Sequence, residues 1–134
     1  MKKIKELVQK VKLVYLATAD KEGVPHIAAS EGLSFLGDDQ IAFRAWFCLK
    51  TVQNLEQNPN LSLAVLNPKS KEGYQIMGRI ERIEKGAILD GYSSEEEGRR
   101  TGYPQAEHRL SIRVKEISVL TSGPHSDEFI RLNY

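Results

Sequence analysis

The segment Gln40–Phe47 (QIAFRAWF) alternates strictly, with Ile41, Phe43, Ala45 and Phe47 at every second position. That period puts all four side chains on one face of an extended strand, because a helix would need them three or four residues apart. Leu61, Leu63 and Val65 repeat the alternation, and residues 13–19 (LVYLATA) read as a buried strand. The turn Asp20-Lys21-Glu22-Gly23, with Gly23 free to take positive φ, folds that strand into a hairpin with residues 26–35. In the returning strand the odd positions Ile27, Ala29, Leu33 and Phe35 are the apolar side. A fifth strand is expected over 74–83 and a sixth over 110–121. The sixth changes apolar parity between Val114 and Ile117, which a β-bulge near Lys115-Glu116 would explain.

Three short helices complete the pattern. Ile4, Leu7, Val8 and Val11 make one amphipathic stripe. Residues 51–57 form a second helix, with Thr51 as its N-cap, Val52 and Leu55 facing inward, and Asn58-Pro59 as its stop. A third is expected over about 85–98, with Ile88, Leu89 and Tyr92 as core contacts and Ser94/Glu97 as a capping box. Six antiparallel strands joined by short turns specify a mainly β chain, a closed or nearly closed barrel rather than a βαβ fold. The 134 residues fit one domain spanning 1–134, with no repeat or linker to divide it.

Composition removes several function classes. Nineteen Lys and Arg face eighteen Asp and Glu, a net charge of +1, which argues against a nucleic-acid partner. No apolar run approaches the ~18 residues of a membrane span, and residues 1–11 lack the features of a signal peptide, so a cytoplasmic chain is expected. A single cysteine, Cys48, excludes an intramolecular disulfide. His26, His108 and His125 fall in no metal-ligand spacing, so no metal site is expected. Three Gly-x4-Gly gaps occur, at Gly32/Gly37, Gly73/Gly78 and Gly86/Gly91, but Asp38, Arg79 and Tyr92 follow where a phosphate loop needs Lys.

The stretch from Arg44 to Asn54 is where chemistry can reside. A strand runs directly into a helix whose first turn carries Lys50, Thr51 and Asn54. A helix start leaves N–H groups unpaired and favours anions, so these residues can hold a phosphate. An ordinary Thr N-cap beside a solvated lysine explains the same letters. On the neighbouring strand Ala28, Ala29, Ser30 and Gly32 are small enough for a flat ring to lie near the backbone. Trp46 and Tyr74 can wall such a ring or simply fill the core. Cys48 is either a packed thiol or, ahead of a helix start, a redox-active one.

The order of these segments resembles the pyridoxamine 5′-phosphate oxidase-like FMN-binding split-barrel family. The resembling residues are Leu16-Ala17-Thr18-Ala19, Gly23-Val24-Pro25-His26, Lys50-Thr51 with Asn54-Leu55 and Asn58-Pro59, the run from Gly73 to Arg79, and Arg113-Val114. They span roughly residues 5–120, and their order and spacing, not any one of them, carry the likeness.

The resemblance implies a six-stranded antiparallel split barrel, and a homodimer with FMN bound where the subunits meet. By position, Lys50 and Thr51 would hold the phosphate with Asn54 assisting. Ala29, Ser30, Glu31 and Gly32 would line the isoalloxazine, Arg44 and Ala45 would contact it from the next strand, and Gln75 matches a glutamine that approaches the flavin in some members. The implied function is an FMN-dependent oxidoreductase acting on a small molecule. An FMN carrier or redox sensor is the alternative, and related split barrels use haem or a deazaflavin. The C-terminal residues 122–128 lack the arginine cluster with which the vitamin-making oxidases grip their substrate phosphate, which argues against that activity. No general acid or base stands out, Glu31 and His26 included.

Overall fold

The computed structural model describes residues 2–47, 49–85, 106–122 and 129–130. In chain order the elements are α1 (Lys2–Val11), β1 (Val14–Ala19), β2 (Pro25–Ser30), β3 (Leu33–Phe35), β4 (Gln40–Phe47), α2 (Leu49–Gln57), β5 (Asn60–Leu66), β6 (Gly73–Lys85), β7 (Ala106–Val119) and β8 (Phe129–Ile130). All pairings are antiparallel, in the order β2-β1-β5-β6-β7-β4-β3, with the two-residue β8 added beside β7. The two edges of this path, β2 and β3, are consecutive in the chain, so the sheet must curl to bring them together. Between them the Arg44 N–H of β4 donates to the Gly32 carbonyl at 3.0 Å. The result is the curled, half-closed sheet of a split barrel.

Seven strands lie on the main path, not the expected six. The reason is a break in the expected strand over 26–35: at Glu31-Gly32 the chain crosses from β1's side of the sheet to β4's. A Cβ at Gly32 would land on the Arg44 carbonyl oxygen, so the crossing requires glycine. The break also shifts parity. Before it, Ile27 and Ala29 face outward and Ala28 packs on the core; after it, Leu33 and Phe35 pack on the core. The odd-position apolar side expected for the whole segment therefore holds only for its second half. β8 escaped notice because two residues carry no period.

Elsewhere the alternation translates directly into burial. Ile41 and Phe43 of β4, Leu61, Leu63 and Val65 of β5, and Leu110, Ile112 and Val114 of β7 fill the barrel. β1 is half-buried, with Val14, Leu16 and Thr18 inward and Tyr15 outward. Gly23 takes φ +86° in the β1–β2 turn, as its position demands. The register of β6 against β7 skips Lys115, since Met77 pairs with Glu116 and Gly78 with Val114, and this is the bulge that the parity change required. A second irregularity leaves Glu81 unpaired in the same ladder. Helix α1 sends Ile4, Leu7 and Val8 into the core and sets Lys5 Nζ 5.7 Å from the centre of the Phe35 ring. Two helices stand among the described residues. The third, with Ile88, Leu89, Tyr92, Ser94 and Glu97, falls outside them, as does Cys48.

Candidate functional site

β4 ends where α2 begins, and α2 packs back across β1 and β2. The helix opens at Leu49, two residues before the expected start, which puts Thr51 inside the first turn. Thr51 is fully buried and its Oγ1 has no hydrogen-bond partner, so it does not act as the N-cap. Val52 and Leu55 face inward as their spacing requires.

The inward side of α2 is unusually polar. Asn54 is 1% exposed, and its Nδ2 donates to Thr18 Oγ1 of β1 at 3.1 Å. Its Oδ1 is buried without a partner, like Thr51 Oγ1. Thr18 itself is 4% exposed and sits between His26 of β2 and Leu61 of β5 in the sheet register. A buried unpaired oxygen costs about 1–3 kcal/mol of desolvation, so two of them beside one hydrogen bond burden this spot.

Lys50 points the other way and is exposed. Its charge reaches Asp20 in the β1–β2 turn. The Asp20 carboxyl is held below its ordinary range, first by the Val24 N–H, with the Glu22 N–H and the Lys50 charge adding to it. Asp20 Oδ1 accepts both N–H groups at 2.9 Å. The first turn of α2 therefore presents a lysine outside and a buried polar cluster behind, at the helix end that favours anions.

The residues expected around the ring divide between faces. Ala29 lies on the outer face of β2, while Ser30 turns inward, its Oγ accepting the Gly32 N–H at 3.1 Å. Glu31 and Arg44 are exposed, and the side chain of Ala45 falls outside the described residues. The Gly32–Arg44 contact ties the β2–β3 link to β4, the strand that leads into α2. Ala29 and Ser30 of β2, Glu31 and Gly32 of the β2–β3 link, Arg44 of β4 and Lys50 of α2 thus lie on adjoining segments. Thr51 and Asn54 join them only from beneath the surface.

Gln75 is elsewhere. It lies on the outer face of β6, opposite Ala64 and Ser118, with its Nε2 donating to Ser62 Oγ at 2.8 Å. Tyr74 is a core residue, 8% exposed, and does not wall a ring; burial, then the neighbouring Glu72 carboxylate, pushes its phenol pKa up. The side chain of Trp46 lies outside the described residues.

Two features escaped sequence reasoning. Thr18 was detectable as the one polar side chain at an inward position of β1, after Val14 and Leu16. The other is a groove of about 530 Å³ at the far end of β4, lined by Leu36, Gln40, Glu81, Arg82, Arg109 and Ser111 among others. It depends on a bulge and on long-range pairing, which no local pattern announces. Among the described residues, no group of three or more His, Cys, Asp or Glu side chains is placed to hold a metal, and no helix is long and apolar enough to cross a membrane.

Comparison with known proteins adds a lineage. The family model described as pyridoxamine 5′-phosphate oxidase matches residues 1–121. The uncharacterized protein MJ0282 of Methanocaldococcus jannaschii is 30% identical over 122 residues, covering 88% of this chain and 79% of that one. The crystal structure of HupZ from Group A Streptococcus superimposes with a TM-score of 0.65 at 23% identity, over 94% of this chain and 98% of that chain. An FMN-binding protein from Syntrophomonas wolfei gives 0.61 at 18% identity, over 90% of each. The two solved structures establish a shared fold, and the family model covers nine-tenths of the sequence. The chain belongs to the pyridoxamine 5′-phosphate oxidase family.

Proposed function

We propose that this protein binds FMN as a homodimer and catalyses an oxidation–reduction of a small molecule. The observation that carries the reading is the exposed Lys50 on the first turn of α2, with the buried and unsatisfied Thr51 and Asn54 oxygens on the inward side of the same helix. The donor set suits a phosphate monoester: the Lys50 ammonium and the N–H groups of a helix start, with the buried Thr51 hydroxyl behind them satisfied by no protein atom. Family membership and the FMN-binding relative of the same fold support the choice of ligand.

The second copy is expected on the outer face of β2-β1-β5-β6. Ile27 is 67% exposed and Tyr15 48%, and the register sets them among Ala17, Ala29, Ala64 and Met77. An exposed apolar strip of this kind favours association. Gln75 stands on the same face, three strand spacings or about 14 Å from β2. That position supports a contact between Gln75 and a flavin held by the neighbouring copy.

When bound, FMN supplies a hydride acceptor and donor at N5. The chain's own residues do the rest. Lys50 would neutralise the phosphate, the small Ala29 on the outer face of β2 would leave room for the ring, and the Gln75 amide would meet a polar edge.

Absorbance of the freshly purified protein, with and without added FMN, tests the reading. Oxidised-flavin bands, followed by reduction with NAD(P)H and turnover of an added acceptor, are expected. Colourless protein that takes up no FMN, or a Soret band, contradicts the flavin assignment. Reduction without turnover contradicts the catalytic one.

A further inference from the structure

We infer that Thr18 is a positioning residue for the anion-binding end of α2, acting through Asn54. The inference rests on the proposed phosphate site and assigns it a hidden support. Thr18 is fixed on both sides by β2 and β5, so its hydroxyl is a rigid reference point. Asn54 bonds to that point at 3.1 Å and lies one helical turn from Lys50. A helix moves as a unit, so the bond sets where Lys50 and the first-turn N–H groups stand over the sheet.

The composition of the spot argues for more than packing. Val52 and Leu55 already anchor α2 by apolar burial. A leucine at position 54 and a valine at 18 would fill the same space without the unpaired Asn54 Oδ1 now buried there. Burial alone can slide by a fraction of an ångström with little penalty, because apolar contacts are non-directional. A hydrogen bond is directional and fixes the angle. What the polar pair adds is therefore placement of the helix start, at the expense of stability.

The test compares wild type with Thr18→Val and Thr18→Ser. Each is titrated with FMN and with riboflavin, which lacks the phosphate, and hydrogen exchange is followed across residues 49–55 with and without inorganic phosphate. Thr18→Val should weaken FMN by about tenfold, the size of one net hydrogen bond, and leave riboflavin within about twofold. Thr18→Ser, which keeps the hydroxyl, should recover most of the loss. Phosphate should slow exchange at the start of α2 in wild type and in Thr18→Ser, but not in Thr18→Val. Equal FMN affinity in wild type and Thr18→Val overturns the inference, as does an equal loss for both flavins, which marks a purely structural role. If wild type binds neither flavin, the FMN reading fails by itself. The exchange arm then stands alone: phosphate protection that depends on the Thr18 hydroxyl supports the inference, and its absence or independence from residue 18 overturns it.

Discussion

At the Gln40 end of β4, four polar side chains meet near the surface and every charge has a partner. Arg113 donates through Nη1 to Asp39 Oδ2 at 2.6 Å and through Nη2 to Glu81 Oε2 at 3.2 Å, while Gln40 Nε2 donates to Glu81 Oε1 at 3.0 Å. At the other end, where β4 passes into α2, three polar side chains are buried and two of their oxygens have no partner. The first arrangement is a cheap one, since half-exposed ions keep much of their hydration and contribute little either way. The second is expensive, because buried polar atoms lose water and regain only part of it. Selection for stability alone would have reversed the two. The strain on stability sits beside Lys50, where the family's cofactor chemistry is expected, and that coincidence is what the contrast teaches.

The contrast can be broken first at the point between the two ends. Gly32→Val drives a side chain into the Arg44 carbonyl and should cost about 3 kcal/mol or prevent folding, read as a lost or sharply lowered thermal midpoint. A midpoint within a degree or two of wild type would mean that the sheet does not close through this crossing.

Removing the buried hydroxyl comes next. Thr18→Val should cost about 2 kcal/mol by leaving the Asn54 amide wholly unpaired, whereas adding Asn54→Leu should recover most of that loss in urea unfolding. A double variant less stable than the single one would show that the polar cluster is a net stabiliser, and the contrast with the ionic end would fail.

The ionic network should respond less. Arg113→Met is expected to lower the midpoint by less than Thr18→Val does, and the difference should shrink in high salt, which screens exposed charges. A larger, salt-independent loss would place this network among the supports of the core.

The smallest effect is on pH dependence. The Gln40 amide, then Arg113, holds the Glu81 carboxyl below its ordinary value of 4.5. A depressed folded-state pKa stabilises the fold above the unfolded value, and the contribution is lost as pH falls through the folded value. Glu81→Gln should therefore flatten the stability profile below about pH 4.5 relative to wild type. An unchanged acid limb would show that Glu81 titrates alike in both states.

Much of the barrel was legible from period alone. The alternation of Gln40–Phe47 placed Ile41 and Phe43 in the core, and the parity change in β7 located its bulge at Lys115. The crossing at Gly32 was not legible, because a glycine in an apolar strand reads equally as room for a ligand or as contact with another strand. The same ambiguity governed Thr51: a threonine at a helix start looks like a cap until the strand before it shows how far the helix extends. Lys50 emerged where its neighbours suggested, exposed at the start of α2. Asn54 emerged as a buried bond to Thr18, a pairing 36 residues apart that no local pattern encodes.

The central claim is that the start of α2 grips the phosphate of FMN, and phosphorus NMR of the bound cofactor examines that group directly. A resonance displaced from free FMN that does not titrate with pH between about 5 and 8 is expected, since the second phosphate pKa is near 6 and Lys50 would hold the dianion. In Lys50→Ala the titration should return and the affinity should fall by about tenfold or more. A bound phosphate that titrates like free FMN in wild type, or a spectrum holding only the free resonance, would contradict the account.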